Sequence, residues 1–453
     1  MWTDRRIGDL PRSRLLGLLA RLAAPVVLAS ISQTLMGLVD ALMVARLGTA
    51  AMAAVGMATL LFSVVATSLK SLDTAVQTFV ARRDGEGRPR STGAVVGTGL
   101  VLVLAAGAVA TALGVWRPGA GLTLVTDDAE VVALGADYYR WRAVGLLPLL
   151  LFFVVRAGFD GLGRTRVGMA VGVGMNLLNA VLNWVLIFGK LGAPAMGVRG
   201  AAAASTLAAA VAAMAVLGWA LRPVMRRRFG WFARGAVRGD LVAPLLRVGL
   251  PPALQAMGLV GGLLTFYAIL GHISTVAVAA GNIVMRVASV AVMPAMGVGV
   301  AVQTLVSRSL GGRDARGAWR AGLAGVALAA LVMAVIGVPL LVWPDLVMSA
   351  FAAEADVTVA GRGILRITAL AQVLAAAGLV FAAVLRGAGD TRRVLVVDVV
   401  TGGGFMLPVA WLLGEALGGG LLGAWWALVG WFALHAAVMT RLFAGRRWLR
   451  HRL

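Results

Sequence analysis

Apolar residues in this chain come in long runs separated by short polar loops. Stretches such as Val95 to Val115 and Gly322 to Val342 stay apolar without alternating. A helix rises about 1.5 Å per residue, so about 20 residues cross the roughly 30 Å hydrocarbon core of a bilayer. Strands of a membrane barrel would instead alternate over about ten residues. Reading between the loops predicts twelve spans, at 17–46, 51–81, 92–116, 130–156, 166–189, 197–221, 243–271, 275–308, 317–342, 357–385, 392–415 and 420–444. The pattern therefore predicts an all-α polytopic membrane protein. The first apolar stretch continues through Leu47 with no convincing cleavage site, so it reads as a helix rather than a signal peptide.

The chain also repeats itself. A shift of 226 residues carries Arg21, Leu22 and Pro25 onto Arg247, Val248 and Pro251. The same shift carries Ala75-Val76-Gln77-Thr78 onto Ala301-Val302-Gln303-Thr304, and Gly161, Gly163, Thr165 and Arg166 onto Gly387, Gly389, Thr391 and Arg392. After a three-residue gap, Gly197 and Gly200-Ala201 meet Gly420 and Gly423-Ala424. Six spans per half is an even number, so both halves enter the membrane in the same direction. The expected organisation is two parallel-repeat six-helix bundles with a central cleft, a lobe at 1–221 and another at 243–453. A basic linker at 222–242, carrying Arg226, Arg227 and Arg228, joins them.

Composition sharpens this picture. The 453 residues are 60% hydrophobic and only 13% charged, with a net charge of +22. Arginine carries most of that charge, clustered near the N-terminus (Arg5 to Arg21), at Arg82 to Arg90, Arg156 to Arg166, Arg222 to Arg247, Arg308 to Arg320, Arg386 to Arg393 and Arg441 to Arg452. Every second loop is thus basic, and the intervening ones are acidic or nearly uncharged. That asymmetry predicts a cytoplasmic location for both termini and the even-numbered loops. It also argues against a nucleic-acid partner, because no soluble domain gathers the arginines into one surface.

Polar groups inside spans are costly and mark candidate chemistry. Asp40 lies six residues before Arg46, roughly 9 Å below the outer end of the first span. The neighbouring sequence offers it no cation within the span, which suits a carboxyl that exchanges a proton. Asn176, Asn179 and Asn183 follow one another at spacings of three and four, so the fifth span carries three amides on one face. Asn183 matches the depth of Asp40, and Ser205 and Thr206 reach that level on the sixth span. The set could bind an ion or simply join helices by hydrogen bonds. The shift replaces Asp40 by Phe266, Asn179 by Phe405 and Asn183 by Val409, so the second half lacks this site. There, Phe266, Tyr267, Phe405 and Met406 could form an apolar wall of a substrate cavity, with Asn176 opposite, or plain core.

Other charges read as structural. Lys70 and Asp73 are expected to neutralise one another, while Arg286, Arg362, Arg366 and Asp398 are expected to pair or to snorkel. Pro25 and Pro251-Pro252 remove backbone donors at matching places, where bending is expected. Three separated histidines, no cysteine and no phosphate-binding loop argue against a metal site, a catalytic triad, an organic cofactor or nucleotide hydrolysis. The chain is therefore not expected to be an enzyme.

Leu22-Ala23-Ala24-Pro25 through Gly37-Leu38-Val39-Asp40 to Arg46-Leu47-Gly48 resembles the first helix of the multidrug and toxic compound extrusion (MATE) family, within it the DinF-like branch. Ala301 to Val306 with Leu310-Gly311, and Leu385 to Thr391, look like motifs of that family's second half. The resemblance implies a cation-coupled antiporter of a bacterial cytoplasmic membrane that expels amphipathic or cationic organic compounds by alternating access. It implies that Asp40 exchanges the coupling proton, that Asn179 and Ser205 or Thr206 are its polar neighbours, and that the first helix bends near Pro25. Asn183-Trp184 stands where relatives often have Asp-Pro, so coupling would rest on Asp40 alone. Sodium is the alternative ion, at Asp40, Asn179 and Asn183, because carboxylate and amide oxygens are hard ligands. A lipid-linked saccharide flippase of the wider superfamily is the alternative function; it would be expected to place cationic residues on the cleft. The partners expected are small organic substrates and membrane lipid, and the chain is expected to act as a monomer.

Overall fold

In the computed structural model, residues 6–233, 235–351 and 354–451 are described. Arg5, Arg234 and Arg452 of the basic clusters lie outside them. The described residues form helices throughout, with no strand among them. The first half holds α1 (Arg12–Ala45), α2 (Thr49–Lys70), α3 (Leu72–Gly85), α4 (Thr92–Trp116), α5 (Ala129–Val144), α6 (Leu146–Gly161), α7 (Thr165–Phe188), α8 (Gly197–Ala220) and the short α9 (Pro223–Phe229). The second half holds α10 (Val242–Ile273), α11 (Thr275–Gly311), α12 (Ala315–Val342), α13 (Pro344–Ser349), α14 (Ala355–Ala388), α15 (Thr391–Asp398), α16 (Leu407–Trp411) and α17 (Gly420–Ala444).

Among the described residues, eleven stretches are long and apolar enough to cross a membrane, and the pair α5–α6, bent by 43°, makes a twelfth if it is one span. The second span is α2 and α3 together, and the eleventh runs from Thr391 to Ala416. Outward faces are apolar as well: Leu331, Val335, Val338 and Val342 recur along α12 at spacings of three and four, each more than half exposed. Such a stripe suits hydrocarbon rather than water.

Two compact units emerge, Leu28–Ala253 and Met1–Val27 with Leu254–Leu453. Their divisions fall within α1 just past Pro25 and within α10 just past Pro251-Pro252, whereas the sequence repeat divides at the basic linker. Local packing explains the difference. Leu15, Leu19 and Leu22 of α1 are buried with Val302, Leu305, Val384 and Phe443 of the second-half unit. Gly249 of α10 packs against Leu72 and Ala75 of the first-half unit, and its carbonyl accepts from Ser71 Oγ at 3.2 Å. Helical winding continues through the prolines of both helices.

The linker is built into the first-half unit. Trp231 is fully buried, its ring 4.8 Å from that of Phe159, and its Nε1 donates to Thr92 Oγ1 at 3.3 Å. Arg164, between α6 and α7, donates to Met225 Sδ at 3.2 Å, and burial together with the charge of Arg228 holds its guanidinium below the usual range.

The repeat reappears as packing inside each unit. A Cβ at Gly161 would lie 2.7 Å from the carbonyl of Gln77, and one at Gly387 would lie 2.8 Å from the carbonyl of Gln303. A Cβ at Gly99 would meet Val76 at 2.5 Å, and one at Gly325 would meet Val302 at 2.3 Å. Gly163 and Gly389, which end the helices of the two glycine motifs, both take positive φ. The motifs that recur in sequence therefore pack on one another in each half, where only glycine leaves room.

Candidate functional site

The polar stripe of α7 meets α1 and α8 rung by rung within the first-half unit. Asn183 Nδ2 donates to Asp40 Oδ1. Seven residues earlier on α7, roughly 10 Å along the axis, Asn176 Nδ2 donates to Ser32 Oγ at 3.0 Å. Asn179, between them, donates to Ser205 Oγ of α8 at 3.2 Å. All three amides are buried and Asp40 is half-buried. The arrangement follows from helix periodicity, since residues three or four apart on α7 share a face.

Two features differ from the sequence expectation. Asp40 has a cation acting on it after all: Arg142 of α5, whose guanidinium lies 4.2 Å from the centre of the Phe62 ring. Thr206 turns away from the asparagines and donates to the carbonyl of Trp141 on α5 at 2.8 Å. It sits against the bend of the fourth span, where a Cβ at Gly145 would come within 2.6 Å of its Oγ1. Pro148, three residues on, lacks the N–H that would close the next turn, so the bend is where a helix needs outside donors.

Asn183 Oδ1 is buried with no hydrogen-bond partner. Beside the Asp40 carboxylate it offers a second hard oxygen, so the pair can accept a proton or contribute two ligands to a small cation. The other sequence candidates are placed differently. Phe266 is 1% exposed and packs on Trp425 with ring centres 5.8 Å apart, and Met406 and Tyr267 belong to the same apolar cluster of the second-half unit. Phe405 packs near Gly430. Phe266 and Met406 are therefore core in this structure and do not line open space.

Several structural charges acquire partners. Lys70 lies over the Phe153 ring at 4.2 Å, near Asp73 and the Arg156–Asp160 pair, which meets at 3.3 Å. Arg286 donates to Asn282 at 2.7 Å and Arg362 to Asp345 at 2.5 Å. The sequence reading missed Ser32 and Arg142 as neighbours of the stripe. Ser32 sits two turns before Asp40, a spacing that could have revealed it. Arg142 was visible as an arginine inside the fourth span, yet nothing in its own helix points to Asp40.

The family model MatE matches residues 25–185 and again 251–412, two copies whose starts lie 226 residues apart. The chain belongs to the MatE family. Among similar MatE relatives is the multidrug resistance protein NorM of Burkholderia vietnamiensis, 30% identical over 440 residues, which cover 94% of this chain and 92% of that one. The multidrug resistance protein PmpM of Pseudomonas aeruginosa is 29% identical, covering 87% of this chain and 83% of that one. Among solved structures, the outward-facing conformation of a multidrug resistance MATE family transporter superposes with a TM-score of 0.90 at 21% identity over all of both chains. A transporter of the wider superfamily from Pyrococcus furiosus superposes with a TM-score of 0.89 at 21% identity, covering 98% of each chain. As a MatE member the chain is a multi-pass membrane transporter and not an enzyme.

Proposed function

We propose that this MatE transporter exports amphipathic or cationic organic compounds, driven by inward proton flow through Asp40 in a cycle of alternating access. The names of its relatives support multidrug efflux. The observation that carries the coupling is the carboxylate of Asp40 accepting from Asn183 on a second helix, at one end of the polar stripe and within the electrostatic reach of Arg142. A protonated carboxyl would keep one acceptor oxygen and gain an O–H donor, for which Asn183 Oδ1 is an available acceptor, so proton uptake would change how α1 is held against α7. Pro25, earlier on the same helix, is the proposed point of bending. The arginine pattern supports a bacterial cytoplasmic membrane with both termini inside.

Sodium coupling is the second reading, favoured by Asn183 Oδ1, buried and unpartnered beside the carboxylate. Vesicles loaded with a fluorescent organic cation decide between the two when proton and sodium gradients are imposed separately. The proton reading expects efflux under a proton gradient alone in the native chain and its loss in Asp40→Asn. Unchanged efflux in that variant removes Asp40 from the mechanism, and efflux under sodium alone establishes the second reading.

A further inference from the structure

The second-half unit holds a polar assembly of its own, unrelated by the repeat to Asp40. Four side chains from four helices meet there. Arg386 of α14 donates to Gln255 Oε1 of α10 at 3.0 Å, Gln255 Nε2 donates to Asp398 Oδ2 at the end of α15, and His435 Nε2 of α17 lies 2.8 Å from Asp398 Oδ1. His435 is 9% exposed. One turn earlier on α17, Trp431 Nε1 donates to Thr401 Oγ1 at 3.1 Å. Residues four apart on α17 thus meet residues three apart on the eleventh span, and α17 is pinned to that span at two points.

The winding of the eleventh span changes at this place. The α-helix ends at Asp398, and Val399–Met406 follows as a π-helix containing Gly402, Gly403 and Gly404. π-stretches are rare and concentrate at functional sites, because the extra residue per turn is maintained only where something depends on it. Here the residue at the changeover is the carboxylate itself.

The chemistry of the four groups is specific. Facing the imidazole are the carboxylate of Asp398 on α15 and the neutral indole of Trp431 on its own helix; behind the carboxylate stand the neutral amide of Gln255 on α10 and the cation Arg386 on α14. With Asp398 ionised, its charge offsets Arg386 and its two oxygens take donors from Gln255 and His435. Nε2 is then the donor, and Nδ1 keeps its lone pair. The Nδ1 edge packs closely on Gly378 of α14, where a Cβ would come within 2.4 Å of it, so only glycine leaves room for the ring at that position. A proton arriving at Nδ1 would create an imidazolium still paired with the carboxylate, and the assembly would pass from neutral to a single positive charge. A hydrogen-bonded strut of equal strength needs no titratable ring and no balancing arginine.

We infer that His435 and Asp398, oriented by Gln255 and Arg386, form a second proton-binding site in this chain, at the α-to-π changeover of the eleventh span. The inference does not rest on Asp40, and a proton bound here would act on the packing of α17 against the eleventh span.

The test uses the full chain in lipid with its histidine rings labelled with nitrogen-15. Only His272, His435 and His451 contribute signals, and His435→Gln assigns the one of interest. The expected result is an imidazole that passes between neutral and cationic forms as the pH is varied, with Nε2 as the protonated nitrogen of the neutral form. Its midpoint should move by about one pH unit or more in Asp398→Asn and in Arg386→Gln, in opposite senses. A ring that keeps one protonation state throughout, or a midpoint indifferent to both variants, overturns the inference. As a second measurement, the pH profile of ethidium efflux from vesicles should move in His435→Gln while Asp40 is intact, and an unmoved profile overturns a role in transport. Because the ring titration needs neither substrate nor gradient, it stands whether or not efflux through Asp40 is observed.

Discussion

At the scale of single residues, the first-half site separates groups that act on charge from groups that hold helices together. Asn183 belongs to the first kind, since its amide serves a carboxylate, and hydrogen bonds to ionised groups are worth about 1.5–3 kcal/mol against about 0.5–1.5 for neutral ones. Asn183→Leu is expected to lower gradient-driven efflux from vesicles about tenfold or more, whereas Ser32→Ala, which removes a neutral rung, should change it by less than about threefold. Equal losses in both would reduce the stripe to interhelical glue. The pairing of Asp40 with Asn183 was legible in the sequence, because a helix period of 3.6 and a common distance from the loops put both at one level. Arg142 was not, since which face of the bent fourth span looks at α1 depends on a bend whose size the sequence does not state. Asp398 was read as a charge in need of a partner, and its partners lie on α10 and α17, 143 and 37 residues away. Asp398 belongs to no run of polar residues at helical spacing comparable to the asparagine stripe of α7, so nothing marked the face it presents or the helices it meets.

At the scale of elements, glycine positions set how closely helices approach, and they do so twice. A Cβ at Gly200 would lie 2.5 Å from the carbonyl of Leu186, and one at Gly423 would lie 2.3 Å from the carbonyl of Leu413. These are backbone atoms, which cannot swing aside. Gly200→Val should therefore push α8 from α7, break the 3.2 Å bond from Asn179 to Ser205, and cost about 1–3 kcal/mol as an overpacked contact. A lowered thermal midpoint in detergent would register it, and an unchanged midpoint would show that the two helices can slide without loss. The bend of the fourth span was less readable than these contacts. Gly145 and Pro148 announce a break, but the span was expected as one helix at 130–156, because an apolar run looks the same straight or bent.

At the scale of the whole molecule, the duplication was the most legible feature, since a constant shift of 226 recurs in motif, in family match and in packing. The compact units were not legible, because the repeat records ancestry whereas compactness records which side chains touch. Leu19 makes the difference measurable. It stands in the first half of the sequence, yet it is fully buried in the core of the second-half unit. Leu19→Ala should cost about 2–5 kcal/mol, and hydrogen exchange should rise first along 298–310 and 380–388 rather than along α7 and α8. Faster exchange confined to α7 and α8 would contradict the division.

Residues 28–253 thus form one uninterrupted stretch inserted into a body whose own two pieces are separated by it. During synthesis, Leu15, Leu19 and Leu22 leave the ribosome before the inserted stretch, whereas Val302, Leu305, Val384 and Phe443, with which they are buried, all follow it. This part of α1 must therefore wait until the whole inserted stretch has been made before the side chains it packs with exist.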